Sequence, residues 1–312
     1  MQGKDFLSVS DMSSDEIYAL INSAIGFKSM GYQHQLKEKT LALLFEKASL
    51  RTRVSFELSI RQLGGSAIYL SPAEIGLGKR EAIGDIAQVL NRYVDVIAAR
   101  TFSHRTLDIL SSYSRIPVIN ALSDREHPCQ ALADILTIFE KKGSLKGLTM
   151  AYIGDGNNVA HSLMLAASIT GINFRIASPS NYQVSSDILN RARGYSLDNG
   201  SDILCTEDAL QSATGVDVIY TDVWTSMGQE NESEKRRQDF SDYRVDERIF
   251  ALAKDDAIFM HPLPAHRGEE VTAEVIDSPR SVVFDQAENR LHMQKALLMM
   301  LLSGDNIISN RE

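Results

Sequence analysis

The chain has 312 residues, with 32 Lys and Arg against 41 Asp and Glu, a formal net charge of −9. That balance leaves no domain-wide basic surface for nucleic acid, no run of roughly 18 apolar residues offers a membrane span, and the opening MQGKDFLSVSD lacks the pattern of a signal peptide. Cys129 and Cys205 stand outside any C-x-x-C, which excludes a disulfide framework and a cysteine-based zinc site and predicts a cytoplasmic protein of two domains at roughly 150 residues each.

Ile17, Leu20, Ile21, Ala24 and Ile25 recur at helical spacing behind the capping candidates Ser13 and Ser14. Residues 41–45 are apolar throughout and too short for a helix, the pattern of a strand buried on both faces. Ser49-Leu50-Arg51-Thr52-Arg53 follows directly and precedes a helical pattern through Val54, Phe56, Glu57, Ile60 and Leu63. Hydroxyls, guanidiniums and free backbone N–H groups at a helix start form an anion site. The helix end contributes only ~0.3–1 kcal/mol toward a charge, and each charged hydrogen bond ~1.5–3 kcal/mol, so the arginines would decide affinity. A capped helix with surface arginines accounts for the same residues, and the segment alone does not separate the two.

Strand-length runs follow at 67–70, 94–99 and 118–120, with a helical pattern at Ile83, Ile86, Ala87 and Leu90. His127-Pro128-Cys129-Gln130 opens the helical pattern of Leu132, Ile135, Leu136 and Phe139. His127 and Gln130 can share one side of the first turn. A helix N-terminus disfavours imidazolium and suits a neutral histidine donating to a carbonyl, although one histidine is more often structural. Cys129 reads as a buried, inert thiol. The polar stretch 140–147 is the candidate domain boundary.

Beyond it, the run at 148–153 leads into Gly154-Asp155-Gly156-Asn157-Asn158. Val159 stands where a dinucleotide fingerprint needs a small residue, and Ala177-Ser178-Pro179 where it wants an acid, so a nicotinamide site is a weak reading. Runs at 173–177, 216–221, 257–260 and 282–284 complete the strand set. Residues 223–242 lack apolar periodicity, the mark of a binding loop or of a charged surface excursion. In His261-Pro262-Leu263-Pro264 the prolines fix the backbone and make Leu263–Pro264 a candidate cis peptide. His261 and His266 lack a third ligand at a persuasive metal-binding spacing. The alternation predicts parallel sheets flanked by helices, with the turns at 45–52, 127, 154–158, 222–228 and 261–264 at the carboxyl edges of two sheets.

In this order, FEKASLRTRVSFE (45–57), HPCQALADILT (127–137), DVWTSMGQE (222–230), FMHPLPAHRGEEV (259–271) and FDQAENR (284–290) resemble the signatures of the aspartate/ornithine carbamoyltransferase family over nearly the whole chain. The S-M-G loop marks its ornithine branch. The resemblance implies an α/β protein of two doubly wound parallel-sheet domains with the active site in the cleft between them. A carbamoyl phosphate domain would span 1–142, with a last helix at about 287–312 packing back on it, and an ornithine domain 143–286. It implies transfer of the carbamoyl group from carbamoyl phosphate to L-ornithine, giving L-citrulline and phosphate, in a homotrimer or a multiple of trimers. No cofactor, metal, nucleic acid or membrane is implied.

Carried over by position, Ser49, Arg51, Thr52 and the backbone of Leu50 would hold the phosphate. Thr52, Arg100 and His127 would polarise the carbonyl, and Gln130 would hold the amide. Leu263 and Arg290 would line the same side, and Arg51, Arg100 and His127 form the catalytic set. Asn158, Asp222, Ser226 and Met227 would bind ornithine, with Pro262 beside the acceptor. Leu50 stands where the family usually has Thr, and Pro262 where ornithine enzymes usually have Cys. H-P-L-P is the form of aspartate enzymes, which usually continue with Arg rather than Ala265. Aspartate, putrescine or an N-acylated ornithine as acceptor, and a catalytically silent phosphate-ligand binder, are the alternative readings. Lys79 and Arg80 could complete a neighbouring subunit's site or form a solvated basic loop.

Overall fold

The structure, a computed structural model, describes residues 1–76, 80–226, 228 and 230–303. Contacts divide it into two units, Met1–Leu136 with the chain from Glu288 onward, and Thr137–Ala287.

The first unit begins with α1 (Ser14–Ser29). Ser13 Oγ accepts from Glu16 N at 3.2 Å and the Glu16 carboxylate accepts from Ser13 N at 2.9 Å, a reciprocal cap that fixes the start. Ile17, Leu20, Ile21 and Ala24 are buried, while Ile25 turns to the exposed side. There follow β1 (Thr40–Phe45), α2 (Leu50–Gln62), β2 (Ser66–Leu70), α3 (Pro72–Ile75), α4 (Ile83–Leu90), β3 (Val96–Arg100), α5 (His104–Tyr113), β4 (Val118–Leu122) and α6 (Pro128–Lys142). The strands run parallel in the order β2-β1-β3-β4. β1, β3 and β4 are buried almost end to end, which is why they read as continuous apolar runs, and β2 is a half-exposed edge. Beyond β4, Phe6 bridges Ile119 in parallel, its N–H donating to Val118 O at 2.8 Å.

The second unit contains β5 (Thr149–Ile153), α7 (Asn158–Thr170), β6 (Asn173–Ala177), α8 (Ser186–Asn199), β7 (Ile203–Thr206), α9 (Ala209–Ala213), β8 (Val218–Tyr220), α10 (Ser233–Asp239), α11 (Glu247–Phe250), β9 (Ile258–Met260) and α12 (Ala273–Ile276). Its parallel order is β7-β6-β5-β8-β9. Both sheets are doubly wound. Strand order reverses between β1 and β3 in one and between β5 and β8 in the other, and the carboxyl ends of those strands are where such sheets hold ligands.

Two expectations are corrected. Residues 282–284 are not a strand: Val283 opens the long helix α13 (Val283–Leu302), and only Ser281 makes an isolated bridge to Phe259. The helical spacing of Val283, Gln286, Arg290, Met293 and Leu297 is masked because buried polar residues share the inward face. Residues 223–242 are not structureless: a short 3₁₀ turn at Glu230–Glu232 leads into α10, with Trp224 and Phe240 buried as aromatic anchors. The division between units falls at 136/137, within α6, and at 287/288, within α13.

The turn after β5 depends on a close backbone approach. Gly156 N donates to Tyr182 O at 2.8 Å, and a Cβ on Gly156 would overlap the backbone of Gln183 and Val184. Gly156→Ala should destabilise the protein by ~1–3 kcal/mol or more. Gly194→Ala, in α8 where a Cβ meets nothing, should be stabilising by ~0.5–1 kcal/mol. Urea unfolding of the two variants checks the contrast.

Candidate active site

In the first unit the candidate residues stand on the loops that leave β1, β3 and β4. Ser49 caps α2, its Oγ accepting from Thr52 N at 3.3 Å and donating to Thr52 Oγ1 at 3.0 Å. Arg290 Nη2, from α13, donates to the same Thr52 Oγ1 at 2.7 Å. Leu50, the first helical residue, points its side chain outward at 76% exposure, so only its backbone can serve an anion. Arg100 ends β3, opposite Phe45 at the end of β1. It is 6% exposed, and its Nε has no hydrogen-bond partner among the described residues.

Positive charge accumulates here. Burial, then Arg290 and Arg51, pull the Arg100 guanidinium down to about 10. Burial lowers Arg51 as well. His127 falls well below the usual histidine range through burial and the fields of Arg290, Arg100 and Arg51, so the ring is neutral at physiological pH. Gln130 Nε2 donates to Asp134 Oδ1 at 2.8 Å, while its buried Oε1 has no partner among the described residues. Cys129 is buried, its thiol pushed up to about 12 by that burial, with Sγ donating to Asn120 O at 3.5 Å. It offers no thiolate.

The second unit repeats the arrangement with the opposite sign. Asn157 caps α7, its Oδ1 accepting from Val159 N at 2.9 Å and Ala160 N at 3.1 Å. Its Nδ2 donates to Asp222 Oδ2, just beyond β8, at 2.9 Å. Asn158 is the first residue of α7. Burial raises the Asp222 carboxyl and Glu270 adds to the rise, against the lowering influence of His261, Asn157 and the Val223 N–H. Asp155 is likewise raised by burial, although Arg236 pulls it down.

Beyond β9, Leu263 N donates to His261 Nδ1 at 2.9 Å, so the ring proton lies on Nε2 and is donated to Glu270 Oε1 at 3.1 Å. His261 N donates to Gln286 Oε1 at 3.0 Å, and Gln286 Nε2 to the Tyr220 hydroxyl at 3.2 Å. The Leu263–Pro264 peptide is cis, and Leu263 has φ of 55°. Pro262 sits in this pinned loop. His261 is therefore a framework residue. His266, Glu269 and Glu270 bring ligand atoms within 4.8 Å of one another, but Glu269 is paired with Arg237 at 3.1 Å and Glu270 with His261.

The structure thus joins Ser49, Thr52 and Arg290 by hydrogen bonds, and it brings Arg51, Arg100 and Arg290 close enough that their fields act on His127. Leu263 lies in the second unit, with Pro262, Asn158, Asp222 and Ser226. Met227 and Lys79 fall outside the described residues, and Arg80 is exposed.

One pairing that braces the second unit's candidate residues is not visible in the sequence. Arg236, 5% exposed on α10, donates from Nη1 to Asp155 Oδ2 at 2.7 Å and to Trp224 O at 2.9 Å. It ties the turn that carries Asn158 to the segment that carries Asp222 and Ser226. The only signal was an arginine within a charge run, which reads as surface.

Two family models match the chain. That of the aspartate/ornithine carbamoyltransferase carbamoyl-P binding domain covers residues 4–140, and that of the Asp/Orn binding domain covers residues 146–301. The ornithine carbamoyltransferase of Bacillus subtilis is 51% identical over 302 residues, 97% of this chain and 95% of that protein. The anabolic ornithine carbamoyltransferase of Pyrococcus furiosus is 48% identical over 308 residues, 97% of this chain and 98% of that one. The solved structure of ornithine carbamoyltransferase from Pyrococcus furiosus gives a TM-score of 0.95 over 97% of this chain and 98% of that one, at 48% identity.

Removing Arg236 alone leaves Asp155 buried without its cation. Arg236→Met should cost ~3–5 kcal/mol, and adding Asp155→Asn should recover most of it; calorimetry of the single and double variants checks this. For Asp222 the folded carboxyl is raised above its unfolded value, so the fold binds the proton first as pH falls and ionised Asp222 costs stability at neutral pH. Asp222→Asn should therefore raise Tm at pH 7.5, and the advantage should shrink on acidification toward pH ~4.

Proposed function

Because the chain belongs to the aspartate/ornithine carbamoyltransferase family, we propose that it transfers the carbamoyl group of carbamoyl phosphate to the side-chain amine of L-ornithine, giving L-citrulline and phosphate. One observation carries the reading. Beside the gathered guanidiniums, a buried donor (Arg100 Nε) and a buried acceptor (Gln130 Oε1) stand without partners among the described residues. A carbamoyl group offers the complement, a carbonyl oxygen to accept and an amide to donate, and buried polar groups rarely go unmatched without a reason.

In this reading Ser49, Arg51, Thr52, Arg290 and the Leu50 N–H take the phosphate. Neutral His127 and Arg100 donate to the carbonyl oxygen, which gains charge as the amine attacks. Gln130 accepts from the amide. The arginines then stabilise the departing phosphate as the C–O bond breaks and the N–C bond forms. Asp222 takes the α-ammonium, with Asn158 and Ser226 binding the amino acid and Pro262 beside the acceptor.

Only the neutral side-chain amine can attack. At a pKa near ~10.4, neutralising it at pH 7 costs about 3.4 × 1.36, or ~4.6 kcal/mol. No covalent nucleophile is needed; orientation and electrostatics are what the site must supply. A homotrimer, or a multiple of trimers, is the proposed assembly. The half-exposed edge strand β2, with Ile68 at 49% exposure and Leu50 and Val54 on the packed helix α2, offers apolar surface for a subunit contact.

Citrulline formation across an acceptor panel of ornithine, aspartate, putrescine and N-acetylornithine tests the reading. Activity confined to ornithine is expected. Robust turnover only with another acceptor overturns the substrate, and tight binding of a bisubstrate analogue without turnover overturns catalysis. Arg51→Ala should lower kcat/KM for carbamoyl phosphate by roughly 10²–10³, against little change for the exposed Arg105→Ala.

A further inference from the structure

We propose that Glu126, held by the N-terminal segment at Ser8 and Val9, is a positioning residue for His127. The inference rests on the function proposed above, in which His127 polarises the carbamoyl carbonyl.

Glu126 is fully buried immediately before His127. Its Oε1 accepts from Ser8 Oγ at 2.6 Å and its Oε2 from Val9 N at 3.1 Å, a separation of 118 and 117 residues along the chain. Burying a carboxylate is costly unless its oxygens are hydrogen-bonded, so these two bonds help fix where Glu126 lies. Its backbone is held as well, the carbonyl accepting from Ser123 N at 2.9 Å.

The Ser8 end is itself built. Ser8 caps the 3₁₀ turn Val9–Asp11, with Asp11 Oδ2 accepting from Ser8 N at 2.8 Å and Leu7 N at 2.7 Å. The segment is registered on β4 through Phe6 N to Val118 O and Asn120 N to Phe6 O, each 2.8 Å. Asn120 Nδ2 donates to Leu7 O at 2.9 Å.

On the other side, Pro128 opens α6 and confines the preceding residue to extended backbone. The His127 carbonyl accepts from Gln130 N at 3.1 Å and Ala131 N at 3.2 Å. With residue 126 pinned, residue 127 restricted and the helix fixed, the imidazole retains only its side-chain torsions. Glu126 sets the point from which the ring reaches the carbonyl, and the N-terminal segment sets Glu126. A displacement of about 1 Å in such a group can cost 10²-fold in rate.

The test compares Glu126→Leu and Ser8→Ala with Glu126→Gln in the full chain. The amide can still accept from Val9 N and donate to Ser8 Oγ, so Glu126→Gln is the conservative rescue. Steady-state kinetics and the ring resonances of labelled His127, read with and without inorganic phosphate, are the measurements. Glu126→Leu should lower kcat roughly ten- to hundred-fold with KM for ornithine unchanged, and should displace the His127 resonance. Glu126→Gln should stay within about two-fold of the native kcat. If Glu126→Leu fails to fold, Ser8→Ala carries the same comparison with a smaller expected loss. Native kcat and native His127 resonances in folded variants overturn the proposal, as does a loss that glutamine fails to rescue. A native chain that forms no citrulline while phosphate still moves His127 refutes the proposed function alone, because the ring readout needs no acceptor.

Discussion

The gathering of Arg51, Arg100 and Arg290 around His127 is the constraint on which the rest depends. Burial lowers the first two guanidiniums, Arg290 and Arg51 lower Arg100 further, and all three press on His127. A fold selected only for stability would disperse these charges. Here the strand ends and the C-terminal helix hold them together, and an anion is the natural relief. Burial first, and then the same field, keeps His127 neutral rather than a competing cation. The second unit shows the converse, two buried carboxylates in which one arginine answers only Asp155. One half gathers guanidiniums at its strand ends and the other gathers carboxylates. In both, burying like charges together costs stability.

The two halves reach these opposite ends by one topology. In each, the first strand of the unit and a partner across the reversal point end side by side, β1 with β3 and β5 with β8. A capped helix leaves the first strand, through Ser49 in one and Asn157 in the other. The strand across the reversal delivers the charged residue, Arg100 or Asp222. The strand beyond leads to a proline-bound histidine, His127 or His261. The histidines then part in role. His127 sits among arginines with a depressed proton affinity, while His261 spends both ring nitrogens on Leu263 and Glu270.

The buried strands were legible because both-face burial demands uninterrupted apolar runs, and the helix caps because they are local. β7 escaped notice since only four residues, all partly exposed, form it. Residues 282–284 misled because three apolar residues look alike in either period until the buried polar residues of α13 are known. At the site, Ser49 through Thr52, His127 and Asp222 are marked by their place after strands, whereas Arg100 is reached only through the family resemblance. Arg236 with Asp155 and Glu126 with Ser8 carry no such mark. Each joins positions 81 or 118 residues apart, and nothing in a charged residue's neighbours along the chain reveals such a partner.

Helix α13 gives the first unit a history as well as a shape. Arg290 reaches Thr52, Leu291 O accepts from Ser59 Oγ at 3.0 Å, and Lys295 reaches Gln62 at 2.9 Å, all across more than 230 residues of chain. During synthesis, β1 through β4 and the Ser49 turn leave the ribosome long before Arg290 exists. The nascent first unit therefore lacks one of the three guanidiniums, and its helix α2 lacks the contacts that α13 later makes. The second unit must be translated in full before the first can close. The order of synthesis thus delays the Arg290–Thr52 contact until both halves of the chain have been made.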